Sequence, residues 1–324
     1  KKEEGFSFMD TKQIRNTLLL ALTALVWGSA FVAQSVGAEH VGPFTFLASR
    51  SYLGGIVLLP VIAAMNARSK RSSGVSLLPK SSGDKKRLLL GGISCGFFLF
   101  LASTAQQIGV GATTAAKAGF ITSMYVLIVP ILTLFMGRKV DKKIWLCVVL
   151  GVIGLYLLCM VGGLSLSRGD SMVLLCAFLF SGHILMVDHF SPKMDGVQLS
   201  CIQFFVTALL STICMLLFES PTVADLQAAA LPILYAGILS SGVGYTLQIV
   251  AQKGLNPTIA SLTMSLESVF SALAGWVLLG QGLSLRELSG CALMFAAIVL
   301  AQLPDSLFRR RKADDAAPAS PPNS

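Results

Sequence analysis

Residues 16–36 read NTLLLALTALVWGSAFVAQSV, 21 positions without an Asp, Glu, Lys or Arg. Wound into an α-helix that rises about 1.5 Å per residue, the stretch is about 30 Å long, the thickness of the hydrocarbon layer of a bilayer. Working outward, runs of the same kind recur near 44–65, 88–109, 113–136, 143–161, 170–189, 197–218, 228–250, 257–279 and 285–303. Composition agrees: 54% of the 324 residues are hydrophobic, 13% are charged, and mean hydropathy is +0.74. A soluble domain carries about 25% charged residues. Outer-membrane strands would appear as segments of about ten alternating residues, a pattern this chain lacks. The sequence predicts an all-α membrane protein with ten transmembrane helices.

Charge placement orients the chain. With the N-terminus inside, the loops on that side hold 21 of the 25 Lys and Arg, among them Arg68, Lys70, Arg71, Lys80, Lys85, Lys86 and Arg87; the opposite loops hold Arg168 and Arg286. Cytoplasmic loops retain Lys and Arg, so both termini are expected in the cytoplasm and the chain in a cell inner membrane. The net charge of +9 follows from this topology, and no nucleic-acid partner is implied. All 7 cysteines fall within apolar runs, without a C-x-x-C pair or a His at ligand spacing. They read as small core residues, and neither a metal nor a cofactor is expected. Lys1 to Phe8 read as a remnant ahead of a natural start at Met9. Residues 304–324, with Arg309-Arg310-Arg311-Lys312 followed by Ala, Asp, Pro and Ser, read as a disordered cytoplasmic tail.

The chain matches itself. A shift of 143 lays Met136-Gly137 over Leu279-Gly280, Lys143 over Arg286 and Gly154 over Ala297; a shift of 154 lays Gly42 over Gly196. The halves are 9–161 and 170–303, each with five runs, so the second crosses the membrane in the opposite sense to the first. Two inverted five-helix repeats are the architecture of alternating access around a site at the bilayer midplane.

The residues also carry a family resemblance. Trp27-Gly28-Ser29-Ala30-Phe31-Val32-Ala33-Gln34, then Ala116-Lys117-Ala118-Gly119-Phe120-Ile121-Thr122 with Val129-Pro130, and finally Asn256-Pro257-Thr258 with Ser265-Leu266-Glu267-Ser268, resemble the EamA-type, ten-span branch of the drug/metabolite transporter superfamily. Where that family usually has Pro after the ninth-span Glu and Glu after the closing Leu-Gly, this chain has Ser268 and Gln281. The resemblance implies a secondary carrier, commonly an exporter of amino acids, related metabolites or drugs. The residues agree on the class: no G-x-x-x-x-G-K-[ST] loop, H-E-x-x-H motif or catalytic carboxylate pair is present, so no enzyme is expected.

Ionisable and polar groups within the runs mark the candidate site, because each is costly in hydrocarbon unless it faces a cavity or a partner. Glu267 lies ten residues past Pro257, about 15 Å deep, where it suits a proton carrier, a partner for a substrate ammonium, or a structural acid joining helices. Arg50 lies seven residues past Pro43 and cannot discharge; it either reaches the outer interface, locks helices together or captures an anionic group. Lys117 either snorkels outward or has a substrate or gating role. His183 is either a titrating group or an interhelical hydrogen-bonding residue. Trp27, Thr122, Tyr125, Ser241, Tyr245 and Gln248, with Glu267, place the cavity walls on the first, fourth, eighth and ninth runs. Gln34, Gln106 and Gln107 read as interfacial, and Pro130 as a candidate bend during gating. The expected function is outward carriage of small amphipathic metabolites such as amino acids, with a coupling proton and the lipid bilayer as further partners. A multidrug exporter of lipophilic cations is the alternative. Monomer and homodimer stay open.

Overall fold

A computed structural model describes residues 11–79, 81–113, 115–159, 167–279 and 284–303. The remnant expected at 1–8 and the tail expected at 304–324 lie outside these residues, as does Gln281. Among the described residues there are helices and turns and no strand. Seven helical segments are long and apolar enough to cross a membrane.

Helix boundaries follow local chemistry. α1 (Thr11–Ala38) gives way to a turn, and α2 (Pro43–Ser73) starts on a proline, which needs no N–H at that position, and stops at Gly74 with φ +68°. α3 (Ser82–Val110) is capped by the Ser81 hydroxyl, which accepts from the Asp84 N–H. α7 (Arg168–Phe190) and α14 (Leu285–Gln302) each open with a reciprocal capping box, Ser167 with Asp170 and Ser284 with Glu287. α8 (Gly196–Phe218) is capped by Asp195, and α6 (Lys142–Cys159) is the last helix ahead of α7.

Three of the expected runs are not plain helices. The fourth is divided into α4 (Ala115–Thr122) and α5 (Tyr125–Phe135), stepping at Ser123-Met124. The ninth is divided into α12 (Pro257–Met264) and α13 (Glu267–Leu279), stepping at Ser265-Leu266. The eighth follows a short α9 (Val223–Ala228) and comprises α10 (Ala230–Leu234), a π-helical stretch Tyr235–Tyr245 and α11 (Thr246–Gln252). Pro130, the expected bend, sits buried inside α5; the fourth run breaks about two turns earlier.

The outer surface is apolar, and hydroxyl residues share the interior with the apolar core. Phe135, Leu216, Val277 and Leu285 are exposed, while Thr23, Ser51, Ser103, Thr207 and Ser211 are buried. In lipid, apolar surface gains little from burial, so small and hydroxyl residues that allow close approach join the apolar contacts between helices. α3 packs on α7 and α8, α2 on α8, α1 on α13, and α6 on α14. Gly154 makes the last pair possible, since a Cβ there would lie 2.9 Å from the Gly290 carbonyl.

The start of α2 has no cap of its own. Glu219, at the end of α8, supplies one: its carboxylate accepts from the Phe44 N–H (2.9 Å), the Thr45 N–H (2.8 Å) and the Thr45 hydroxyl (2.6 Å). A carboxylate is favoured where a helix presents unsatisfied N–H groups. Glu219→Ala is expected to cost about 1 kcal/mol, read as a lower thermal midpoint of the purified protein, with Glu219→Asp intermediate.

Candidate functional site

The two helix breaks and the π-helical stretch meet at the centre of the bundle. Tyr125 and Glu267 are the first residues of α5 and α13, so each sits where its run resumes after a break. The Tyr125 hydroxyl donates to Glu267 Oε1 at 2.9 Å, with the Ser123 hydroxyl at 3.4 Å. Ser123 also pairs with Ser268 (2.7 Å), whose hydroxyl reaches the Gly119 carbonyl (2.9 Å). One polar cluster therefore ties the broken fourth run to the broken ninth, and Glu267 is 3% exposed within it.

Opposite the breaks, Arg50 extends from α2 to the π-helical stretch. Its Nε donates to Ser241 Oγ at 3.1 Å and an Nη donates to Ser240 Oγ at 3.4 Å. It is 4% exposed, which sets aside the expectation of an arginine reaching for the outer interface. The approach depends on glycine: a Cβ on Gly54 would lie 2.8 Å from Ser241 Cβ, and one on Gly237 would lie 3.1 Å from the Arg50 carbonyl. Among the described residues Arg50 has no carboxylate within ion-pairing distance. Neutral hydroxyls compensate a buried guanidinium poorly, and the forked group is suited to a planar carboxylate.

Arg50 and Glu267 line the same cavity, together with Trp27, Phe31, Gln34, Gln106, Thr122, Tyr125, Phe180, Ser240, Tyr245 and Gln248. Trp27 Nε1 donates to the Ser240 carbonyl at 3.3 Å, and its ring leans on Tyr245 with centroids 4.6 Å apart. Gln106 donates to the Thr122 hydroxyl at 3.4 Å. Among the described residues Gln34 Oε1 and Gln248 Oε1 have no hydrogen-bond partner. The cavity volume is about 30 Å³, room for one or two waters, whereas pockets that hold a small molecule are about 300–1,000 Å³. In this conformation the cavity is too small to hold a metabolite.

The expected residues separate under this geometry. Trp27, Thr122, Tyr125, Tyr245, Gln248 and Glu267 line the cavity, and Ser241 stands behind it as a partner of Arg50. His183 is fully buried but does not line it; its Nε2 pairs with Gln203 Oε1 at 3.1 Å, and its ring meets Tyr245 edge-on at 6.0 Å. Pro130 is likewise outside the lining. Lys117 belongs to α4, but its side chain lies outside the described residues. Gln34, Gln106 and Gln107 are buried rather than interfacial, and Gln34 and Gln106 join the lining. The walls extend beyond the four expected runs, to Arg50 on the second, Gln106 on the third and Phe180 on the sixth.

Comparison with known proteins points to membrane transport. The model of the EamA-like transporter family matches the chain over residues 15–160 and 167–303. The chain belongs to the EamA-like transporter family. It is a multi-pass membrane protein and a membrane transporter. Relatives include an uncharacterized transporter of Archaeoglobus fulgidus, 28% identical over 90% of this chain and 87% of that one. Protein PecM of Dickeya dadantii is 29% identical over 89% of this chain and 92% of its own length. A solved crystal structure shares the fold, with a TM-score of 0.68 at 21% identity, covering 89% of this chain and 96% of that one.

Within this EamA-like chain the Trp-Gly-Ser stretch has a packing explanation. Gly28 sits where a Cβ would lie 2.6 Å from the Glu267 carbonyl and 2.7 Å from the Ser271 N–H. Its missing side chain lets α1 lie directly on the start of α13. Gly28→Val is expected to displace Glu267 from Tyr125 and to cost about 1–3 kcal/mol of stability, read as a lower thermal midpoint together with impaired transport. Gly83→Val is the control, since the nearest atom to a Cβ there is 3.7 Å away.

Proposed function

We propose that this transporter is a secondary carrier that moves small amphipathic metabolites, amino acids or related compounds, outward across the cell inner membrane by alternating access. In this reading ten helices form two inverted five-helix repeats with both termini in the cytoplasm. The two consecutive matches to one family model support a duplicated chain. So does the placement of the two breaks, since Ser123 and Ser265 both lie two residues ahead of the groups that meet, Tyr125 and Glu267.

The observation that carries the reading is the pair of opposite ionisable groups on one buried cavity, Arg50 without a carboxylate partner among the described residues and Glu267 held by hydroxyls. A zwitterion brings a carboxylate for the first and an ammonium for the second. Glu267 can alternatively hold a proton when the ammonium is away, which couples solute export to proton entry. An exporter of lipophilic cations would use the aromatic walls and Glu267, but its cargo would share the cavity with the Arg50 charge and leave that charge uncompensated.

The test is counterflow in proteoliposomes. Vesicles preloaded with an unlabelled amino acid are expected to accumulate the labelled one transiently and saturably, with the corresponding amine and the amino-acid ester competing poorly. Counterflow of hydrophobic cations with none of any amino acid would reject the proposed cargo.

A further inference from the structure

A second cavity, away from the central site, lies where the Lys- and Arg-rich end of α2 leaves the membrane. It is an open cleft of about 370 Å³ on the surface, lined by Leu59, Ile62, Ala63, Asn66, Lys70 and Leu78, of which Leu59, Ala63, Lys70 and Leu78 are exposed. α2 has 31 residues, about 46 Å at 1.5 Å per residue, so it outruns the hydrocarbon layer by about 15 Å. Measured from Pro43, Leu59, Ile62 and Ala63 fall about 24–30 Å along the helix, and Asn66 and Lys70 about 35–40 Å. The apolar walls thus lie at the level of acyl chains and the polar ones at the level of headgroups.

The site is built rather than incidental. The chain beyond Gly74 folds back over the helix end: Asn66 Oδ1 accepts from the Leu77 N–H (3.0 Å) and the Ser76 hydroxyl (2.9 Å), and the Ser69 hydroxyl donates to the Val75 carbonyl (2.8 Å). Gln198 of α8 donates to the Leu77 carbonyl at 3.0 Å. These bonds hold Leu78 as one wall of the cavity. Charge is one-sided. The segment 66–87 has seven Lys and Arg against one acid, Asp84, and Asp84 is engaged in its helix cap with Ser81.

We infer that this cavity binds one anionic phospholipid of the adjoining leaflet, with an acyl chain against Leu59, Ile62 and Ala63 and the phosphate at Lys70. Basic residues just beyond a membrane helix attract anionic headgroups in general; what distinguishes this place is an apolar cleft beneath one of them. The inference concerns the lipid only and stands independently of the central cavity's cargo.

The full-length protein, purified in detergent and titrated with phosphatidylglycerol, is examined by native mass spectrometry. One lipid is expected to be retained saturably, with phosphatidylcholine bound at least tenfold more weakly. Lys70→Glu and Ala63→Trp, the latter filling the cleft, are each expected to weaken retention at least tenfold. Arg68→Glu, an equal charge change outside the cavity lining, is expected to weaken it less than twofold. Equal weakening by Arg68→Glu and Lys70→Glu would reduce the effect to diffuse attraction by the basic segment. Full competition by glycerol phosphate would make the cavity a site for soluble phosphate. Either result overturns the inference, as does an Ala63→Trp protein that binds like the parent.

Discussion

Arg50→Gln is expected to lower the transport of carboxylate-bearing solutes by about a hundredfold or more, because an interaction with a buried charge is lost whole. Arg50→Lys keeps the charge but loses the forked geometry, and should fall between the two. The same substitution separates a binding role from a structural one. Among the described residues the partners of Arg50 are the hydroxyls of Ser240, Ser241 and Tyr245, so removing it strands no described carboxylate, and it relieves the protein of a poorly compensated buried charge. The thermal midpoint of Arg50→Gln is therefore expected to equal or exceed that of the parent. A protein that melts early would point to a helix lock, and one that transports normally would remove Arg50 from the site.

Glu267→Gln is expected to uncouple flux from protons. The amide is nearly isosteric and still accepts from Tyr125, so the cluster joining the two broken helices persists, but the group neither ionises nor carries a proton. In proteoliposomes with an imposed pH gradient, uphill movement of solute should fall at least tenfold, and the pH dependence of the exchange rate should flatten. Solute exchange without a gradient should continue at a reduced rate, because the ammonium partner has become neutral. If Glu267→Gln retains the parent's full pH profile and gradient-driven accumulation, the proton passes elsewhere and Glu267 serves only to hold Tyr125 and Ser123.

Both predictions bear on how the carrier opens. The central cavity holds little more than water, so the proposed carriage of a solute requires it to widen, and we place that movement at the elements that are already irregular. α4 and α5 part at Ser123-Met124, and α12 and α13 part at Ser265-Leu266. Helix ends directed at the centre of a membrane are tolerated only where they face protein or a wet cavity, and these two face each other across Glu267. The π-helical stretch that carries Ser240, Ser241 and Tyr245 adds a third such place, and π-helical turns are frequent at functional sites.

Much of the membrane reading was legible in the residues. Long apolar runs are decisive because backbone groups in lipid must be paired within a helix, and Pro43, Ser167 with Asp170, Asn256-Pro257 and Ser284 with Glu287 announce helix starts by chemistry that acts within four residues. Arg50 and Glu267 stood out for a related reason: a charge in hydrocarbon carries a cost that something must answer. Neither proline nor glycine marks Ser123-Met124 or Ser265-Leu266, so the breaks there could not be read from the chain. Gln34 and Gln106, near the ends of their runs, could as well have met headgroups as the cavity. Phe31 and Phe180 were indistinguishable from residues that face lipid, because acyl chains and a neighbouring helix are equally apolar and leave no periodic mark on the sequence. Which helix face meets which neighbour is set by close contacts such as Gly28 on Glu267 and Gly54 on Ser241, between residues far apart in the chain. Those contacts, which exist only in the folded bundle, placed the guanidinium and the carboxylate on one cavity.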